Sequence, residues 1–281
     1  MKINTISGLD IPSRLRDIPG APIKLWYKGV LPDEDRPAVA IVGTRKPTSY
    51  GRAVTEQVAT RLAERGVVVV SGMALGIDSI AHKAALKAHG TTVAVLPSGV
   101  DVPYPAQHRG LADDILAQGG ALVSEYPPGT PGLQFRFLER NRLVCGLADA
   151  VIVTEAATRS GTSNTVSHAL EQGKDVYAVP GSILSPMSGG PNQLITTGAT
   201  PIINIEAWVD QLFPRTNRST AQHVVYTTEE QRIVDLIVAG IYDGDEIQQK
   251  SDLSPAAYLQ TITMLEITGA VRPLGNNRWS L

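Results

Sequence analysis

The sequence predicts an α/β protein built on a doubly wound, mostly parallel sheet, and three observations carry that prediction. Short β-branched runs alternate with helix-forming stretches along most of the chain. The runs are apolar throughout instead of alternating apolar with polar, the pattern of strands covered on both faces. The 281 residues, 43% hydrophobic and 19% charged, have an ordinary globular composition, enough for one large core and a small second domain.

The elements follow in order. Residues 1–37, proline-rich and weakly periodic, read as an extended arm packed on the sheet. The strand runs are then AVAIV (38–42), GVVVVS (66–71), TTVAVL (91–96), GALVS (120–124), ADAVIVT (148–154), KDVYAV (174–179) and TPIIN (200–204). Between the first two, GRAVTEQVATRLAERG repeats Val54, Val58, Ala59 and Leu62 at helical spacing. Strands and helices alternating in this way give a Rossmann-like domain over 38–212. Residues 213–226 are polar and patternless and read as a linker, and 227–281 read as a winged helix. There, Thr227-Thr228-Glu229-Glu230 is a helix-cap signal and Ile233, Leu236 and Ile237 share a face. Ser254 and Pro255 suit the N-cap and first position of a later helix, and 271–273 and 278–281 flank LGNN as a two-stranded wing.

Composition excludes several classes. The lone Cys145 cannot close an internal disulfide, and the histidines at 82, 89, 108, 168 and 223 lack metal-ligand spacing, so neither a structural metal nor a cofactor is expected. The first twenty residues contain no apolar signal region and the longest apolar runs are strand-length; a cytoplasmic protein without a membrane span is the expectation. The net charge is −2, but residues 227–281 hold four basic and eight acidic side chains, which leaves +2 on the rest. Between residues 251 and 270 there is no lysine or arginine, so a DNA duplex would repel this module, and a protein-interaction or regulatory role is expected of it. Arg272 and Arg278 on the wing favour the duplex reading.

In an open parallel sheet ligands bind beyond the carboxyl ends of the strands. The loop VGTRKPTSYG offers close backbone approach at Gly43 and a forked guanidinium at Arg45; SGMALGIDSIAH, TEAATRSGTSNT and VPGS are further small, glycine-bearing loops. Their helix N-termini suit anions. Near the same rim, residues 134–146 carry Arg136, Arg140 and Arg142 against Glu139, a local +2, with Phe135 and Phe137 among them. Arginines follow phosphates and an aromatic ring can stack on an unpaired base, although a surface ion-pair set over a core pair of phenylalanines would look the same. Neither a G-x-G-x-x-G fingerprint after the first strand nor a P-loop is present, which disfavours a dinucleotide cofactor and a P-loop ATPase. Ser71, Asp78 and His82 lack the nucleophile elbow of a hydrolase, Asp78 reading instead as a first-turn helix residue, and Glu155 reads as a hydrogen-bonding anchor for the adjacent loop.

The ordered motifs AIVGTRKPTSYG, SGMALGIDSIAHKAAL, TTVAVLPSGVDVPYP, ALVSEYPPGTPG, FLERNRLVCGL, VIVTEA, SGTSNTVSHALEQGK, VPGS and GGPNQLITTGATPI, spanning roughly 38–203, resemble those of the DprA/Smf family of DNA-processing proteins. The resemblance implies a non-enzymatic, homodimeric recombination mediator that binds and protects single-stranded DNA and loads the RecA recombinase during natural transformation. A single-strand-binding protein is a further partner on this reading. It also implies that Arg45, Phe137, Arg140, Asn141 and Arg142 contact DNA, with Ser160, Gly161 and Thr162 lining a neighbouring pocket. Gly43, Thr44, Ser71, Gly72 and Lys174 complete the expected site. Leu138 stands where the family often has proline, Val166 where alanine is usual and Lys174 where arginine is frequent, which bears on contact geometry. Many relatives also carry an N-terminal helical module that these residues do not include. The sheet resembles as well the LOG-type nucleotide phosphoribohydrolases, the alternative reading. Their G-T-x-x-E motif supplies a catalytic glutamate, and Thr165 occupies that position here.

Overall fold

The computed structural model describes residues 2–214, 227–267, 270–275 and 277–280. The chain divides into two units, residues 1–216 and 217–281. The expected linker lies, from residue 215 to 226, outside the described residues.

The first unit contains β1 (Asn4–Ser7), α1 (Ser13–Arg16), β2 (Lys24–Gly29), β3 (Ala38–Val42), α2 (Ser49–Glu64), β4 (Val68–Ser71), α3 (Ile77–Lys87) and β5 (Thr92–Val95). It continues with α4 (Arg109–Ala117), β6 (Ala121–Ser124), α5 (Gln134–Gly146), β7 (Ala150–Val153), α6 (Thr162–Glu171), β8 (Asp175–Ala178), α7 (Gly189–Thr196), β9 (Thr200–Pro201) and α8 (Ile205–Leu212). One sheet runs β1-β2-β6-β5-β4-β3-β7-β8-β9. All pairings from β6 to β9 are parallel. From β3 the chain winds outward through β4, β5 and β6, then α5 carries it back across the sheet to β7 on the other side of β3. The order therefore reverses between β3 and β7, and the crevice above that point is where an open α/β sheet places its ligand.

The apolar strand runs bury both of their faces, and the period of two decides which helices each residue meets. Ala38, Ala40, Val42, Val68, Val70, Val151 and Val153 pack with Leu143 and Val144 of α5 and Val166 and Ala169 of α6. Val39, Ile41, Val69 and Ile152 pack with Val58, Ala59 and Leu62 of α2 and with Ile77, Ala81 and Ala85 of α3. Truncating a fully buried residue such as Leu62 to alanine typically costs ~2–5 kcal/mol.

The N-terminal segment differs from its expectation as an extended arm. It supplies β1 and β2, which extend the sheet antiparallel, β2 pairing with β6 in the register Trp26↔Ser124 and Tyr27↔Val123. Between them, Leu15 and Ile18 enter the main core. Prolines at 12, 19 and 22 break the periodicity that would have disclosed these elements.

The second unit contains α9 (Thr228–Val238), α10 (Gly244–Ser251), α11 (Pro255–Ile267) and an antiparallel ribbon of β10 (Arg272–Gly275) and β11 (Arg278–Ser280). Thr227 and Glu230 form a reciprocal capping box on α9, and Ser254 Oγ accepts from the amide of Ala257 at the start of α11. Ile233, Ile237, Ile247, Ile262, Leu265 and Val271 make a separate core. Among the described residues no helix is long and apolar enough to cross a membrane.

Candidate functional site

Three strand-to-helix loops meet at the reversal point. The amide of Thr44 donates to the carbonyl of Glu155 after β7 (2.7 Å), and the amide of Ile77 donates to the carbonyl of Thr44 (3.1 Å), so the loops after β3, β4 and β7 hold one another. A Cβ on Gly43 would lie 2.5 Å from the Glu155 carbonyl oxygen and 2.7 Å from Ile77 Cγ1, which restricts the position to glycine. Gly76, at φ +80°, makes the corresponding approach to Arg45. Glu155 is buried, and its carboxylate accepts from the amide (2.9 Å) and hydroxyl (2.6 Å) of Thr48, the N-cap of α2. The glutamate is an anchor that fixes the entrance to α2, and Arg45 projects from the tightened loop into solvent.

Beneath the loops lies a layer of buried polar groups. Arg140 of α5 is 4% exposed, and its Nη1 donates to the carbonyls of Gly72 (2.6 Å) and Val95. A side chain at Gly72 would overlap that guanidinium. Asp78 Oδ2 accepts from the amides of Gly72 (3.1 Å) and Ala74 (3.4 Å). Burial pushes the Asp78 carboxyl up while the Arg140 charge opposes the shift; burial lowers Arg140 to about 10, so it stays cationic at neutral pH. His82 is fully buried, its Nδ1 2.7 Å from Thr92 Oγ1. Because Thr92 spends its own proton on the Val69 carbonyl (2.6 Å), His82 Nδ1 carries the hydrogen of that contact. Burial holds this imidazole neutral, lowering its pKa to about 3. Ser71 Oγ donates to the Ile41 carbonyl at 2.7 Å. Ser71, Asp78 and His82 are thus each bonded elsewhere and form no relay.

Gly43, Thr44, Arg45, Gly72, Phe137, Arg140, Asn141, Ser160, Gly161 and Thr162 line a single cavity of about 280 Å³. Its charged groups are Arg45, Arg140 and Asp78, a net positive set. The N-terminus of α6 opens on it, with Gly161 and Thr162 in the lining, and among the described residues the buried Ser160 Oγ has no hydrogen-bond partner. The Arg45 guanidinium lies 5.3 Å from the centroid of the Phe137 ring, which also meets Tyr104 edge-on at 5.1 Å and 76°. A cavity of this size, with a cation at its lip, an aromatic wall and a helix N-terminus at one end, fits an anionic group attached to a flat ring system.

Ser71, Arg142 and Lys174 are not part of this cavity, contrary to expectation. Ser71 ends β4 beneath the loop with its hydroxyl spent. Along α5, residues 137, 140, 141 and 144 share one face at helical spacing, and Arg142 falls on another. Its Nη2 contacts the Glu125 carboxylate at 2.5 and 2.7 Å, in a second hollow shared with Tyr126, Glu139 and His168. Lys174 immediately precedes β8, as Asp149 precedes β7, and so occupies the opposite end of the parallel strands; burial lowers its pKa and the Asp149 charge opposes this. Phe135 is exposed, and Arg136 lies against both the Tyr126 and Phe135 rings, outside the cavity. Asp78 lies in the first turn of α3, as the sequence predicts, and is in addition buried and part of the cavity lining; sequence reasoning missed Tyr104, which packs against Phe137, because its proline-flanked loop gives no periodic signal.

A family model described as DNA recombination-mediator protein A matches residues 2–213. A putative DNA processing protein DprA from Mycobacterium tuberculosis is 41% identical over 278 residues, covering 96% of this chain and 71% of the relative. DNA processing protein A from Streptococcus pneumoniae superposes with a TM-score of 0.68 at 42% identity over 75% of each chain. DNA processing protein A from Helicobacter pylori, solved to describe its single-stranded DNA binding mode, does so with a TM-score of 0.68 at 34% identity over 75% of this chain and 95% of that one. On this match and the shared fold, the chain belongs to the DNA recombination-mediator protein A family.

Proposed function

We propose that this chain binds single-stranded DNA at the cavity above the β3–β7 reversal and acts, without catalysing a reaction, as a cytoplasmic recombination mediator. In that role a homodimer protects incoming single strands, alongside a single-strand-binding protein, and delivers them to the RecA recombinase. The observation that carries the reading is the pairing of Arg45 at the cavity lip with the N-terminus of α6, which suits a backbone phosphate beside an aromatic wall. A nucleotide phosphoribohydrolase is disfavoured because Thr165, a neutral residue, lines the cavity where that chemistry takes its glutamate. The acidic second unit, read as a winged helix, serves a protein partner on this account.

The test is fluorescence anisotropy of a labelled oligo-dT against the same strand annealed to oligo-dA. Preferential binding of the single strand is expected. Equal affinity for both, or release of free base from a nucleoside monophosphate by the purified protein, would overturn the proposal.

A further inference from the structure

Phe137 is the ring that the sequence marks for contact with a base, and in the structure it lines the cavity with two neighbours already against it. The Arg45 guanidinium sits 5.3 Å from its centroid and Tyr104 packs against it at 76°. Tyr104, one ring further out, is 43% exposed. Its support is preformed on two sides. Gly132 lies against the ring, close enough that a Cβ there would come within 3.2 Å of Cγ and 3.3 Å of Cδ2, and Phe137 braces it from α5. The loop that carries Tyr104 is itself pinned: both Asp101 carboxylate oxygens accept from the Gly129 amide (2.9 and 3.0 Å), the Gly99 amide donates to the Thr130 carbonyl (2.9 Å), and Ser98 Oγ donates to the Val102 carbonyl (2.7 Å).

We infer that Tyr104 is a base-stacking residue, receiving the nucleobase adjacent to the phosphate held at Arg45, with Phe137 as its brace and not as the stacking surface. This rests on the single-strand reading above. A ring held by neighbours on two sides loses little freedom when a base covers its open part, so stacking costs little ordering. Every base has a π-face, so the contact gives affinity for unpaired strands without sequence preference, and a base already paired and stacked in a duplex cannot make it. The arrangement places a charge contact and a stacking contact side by side, and the two differ in their response to salt: displaced counterions report phosphates alone.

The experiment compares binding of oligo-dT and of an abasic deoxyribose-phosphate oligomer of the same length by wild type, Tyr104→Leu, Tyr104→Phe and Tyr104→Trp at several salt concentrations. Tyr104→Leu should weaken oligo-dT about tenfold, equivalent to about 1.4 kcal/mol, leave the abasic oligomer unaffected and keep the wild-type salt slope. Tyr104→Phe and Tyr104→Trp should retain binding, and the new indole emission should be quenched by oligo-dT and not by the abasic oligomer; this readout stands even if the leucine variant folds poorly. Wild-type oligo-dT affinity in Tyr104→Leu, equal losses toward both oligomers, or an unquenched indole in a variant that binds would overturn the inference and leave the single-strand reading standing. Failure of the wild type to bind oligo-dT would remove both.

Discussion

The rim of the cavity and the polar layer directly beneath it are built from the same residue types and do opposite work. On the rim, Arg45 is exposed and rests on an aromatic ring. In the layer, Arg140 is buried and spends its guanidinium on the carbonyls of two neighbouring strand ends. A guanidinium consumed by backbone oxygens fixes loops; one left in water over a ring is available to a ligand. The lesson is that membership in a motif does not assign a role, because only two positions of one helix separate Arg140, which builds the site, from Arg142, which faces away from it.

The contrast can be broken by variants that act on one level alone. The largest effect is expected from Arg140→Ala, which leaves two buried carbonyls without their donor and Asp78 without its neighbouring cation. It should cost about 3 kcal/mol and lower the melting temperature by roughly 6–12 °C. A melting curve unchanged from wild type would place Arg140 with the rim. Next comes the pH response of the layer. The folded pKa of His82 is depressed from 6.5 to about 3, so its contribution is complete above pH 6.5 and is lost as pH falls toward 3, where the unfolded chain binds the extra proton. The slope attributable to it is about 1.4 kcal/mol per pH unit. Thermal melts of wild type and His82→Gln between pH 7 and 5 should show the flatter dependence in the variant.

Changes at the rim should reverse the pattern. Arg45→Ala is expected to weaken oligo-dT about tenfold while altering stability by under about 1 kcal/mol, the size of its ring contact. Arg142→Ala should have the smallest effect. Its partly exposed pair with Glu125 contributes about 1 kcal/mol at most, and its affinity for oligo-dT should match wild type in the same titration.

The legibility of the two levels in the sequence follows the same physics. Apolar runs such as AVAIV and VVVV declared the parallel strands because burial on both faces leaves no room for polar residues, and the glycine-bearing loops marked the correct ends of those strands. Helical arithmetic could have separated Arg142 from Phe137 and Arg140, since positions five or two apart do not share a face. Burial of Arg140 and Asp78 could not be read, because it depends on carbonyls and amides delivered by other strands. The strands β1 and β2 were hidden by the prolines at 12, 19 and 22 that lie between them. Tyr104 was invisible for a related reason: its value comes from Phe137 and Gly132, distant in sequence and brought beside it only by the fold.

The most direct test of the central claim, that a phosphate is held at the Arg45 lip of the β3–β7 cavity, is the salt dependence of oligo-dT binding by wild type, Arg45→Ala and Arg142→Ala. Each phosphate contact on a single strand contributes about 0.7 to the slope of log K against log salt concentration. Arg45→Ala should therefore flatten the slope by about 0.7 while Arg142→Ala keeps the wild-type value. A wild-type slope in Arg45→Ala, or the loss appearing in Arg142→Ala instead, would contradict it.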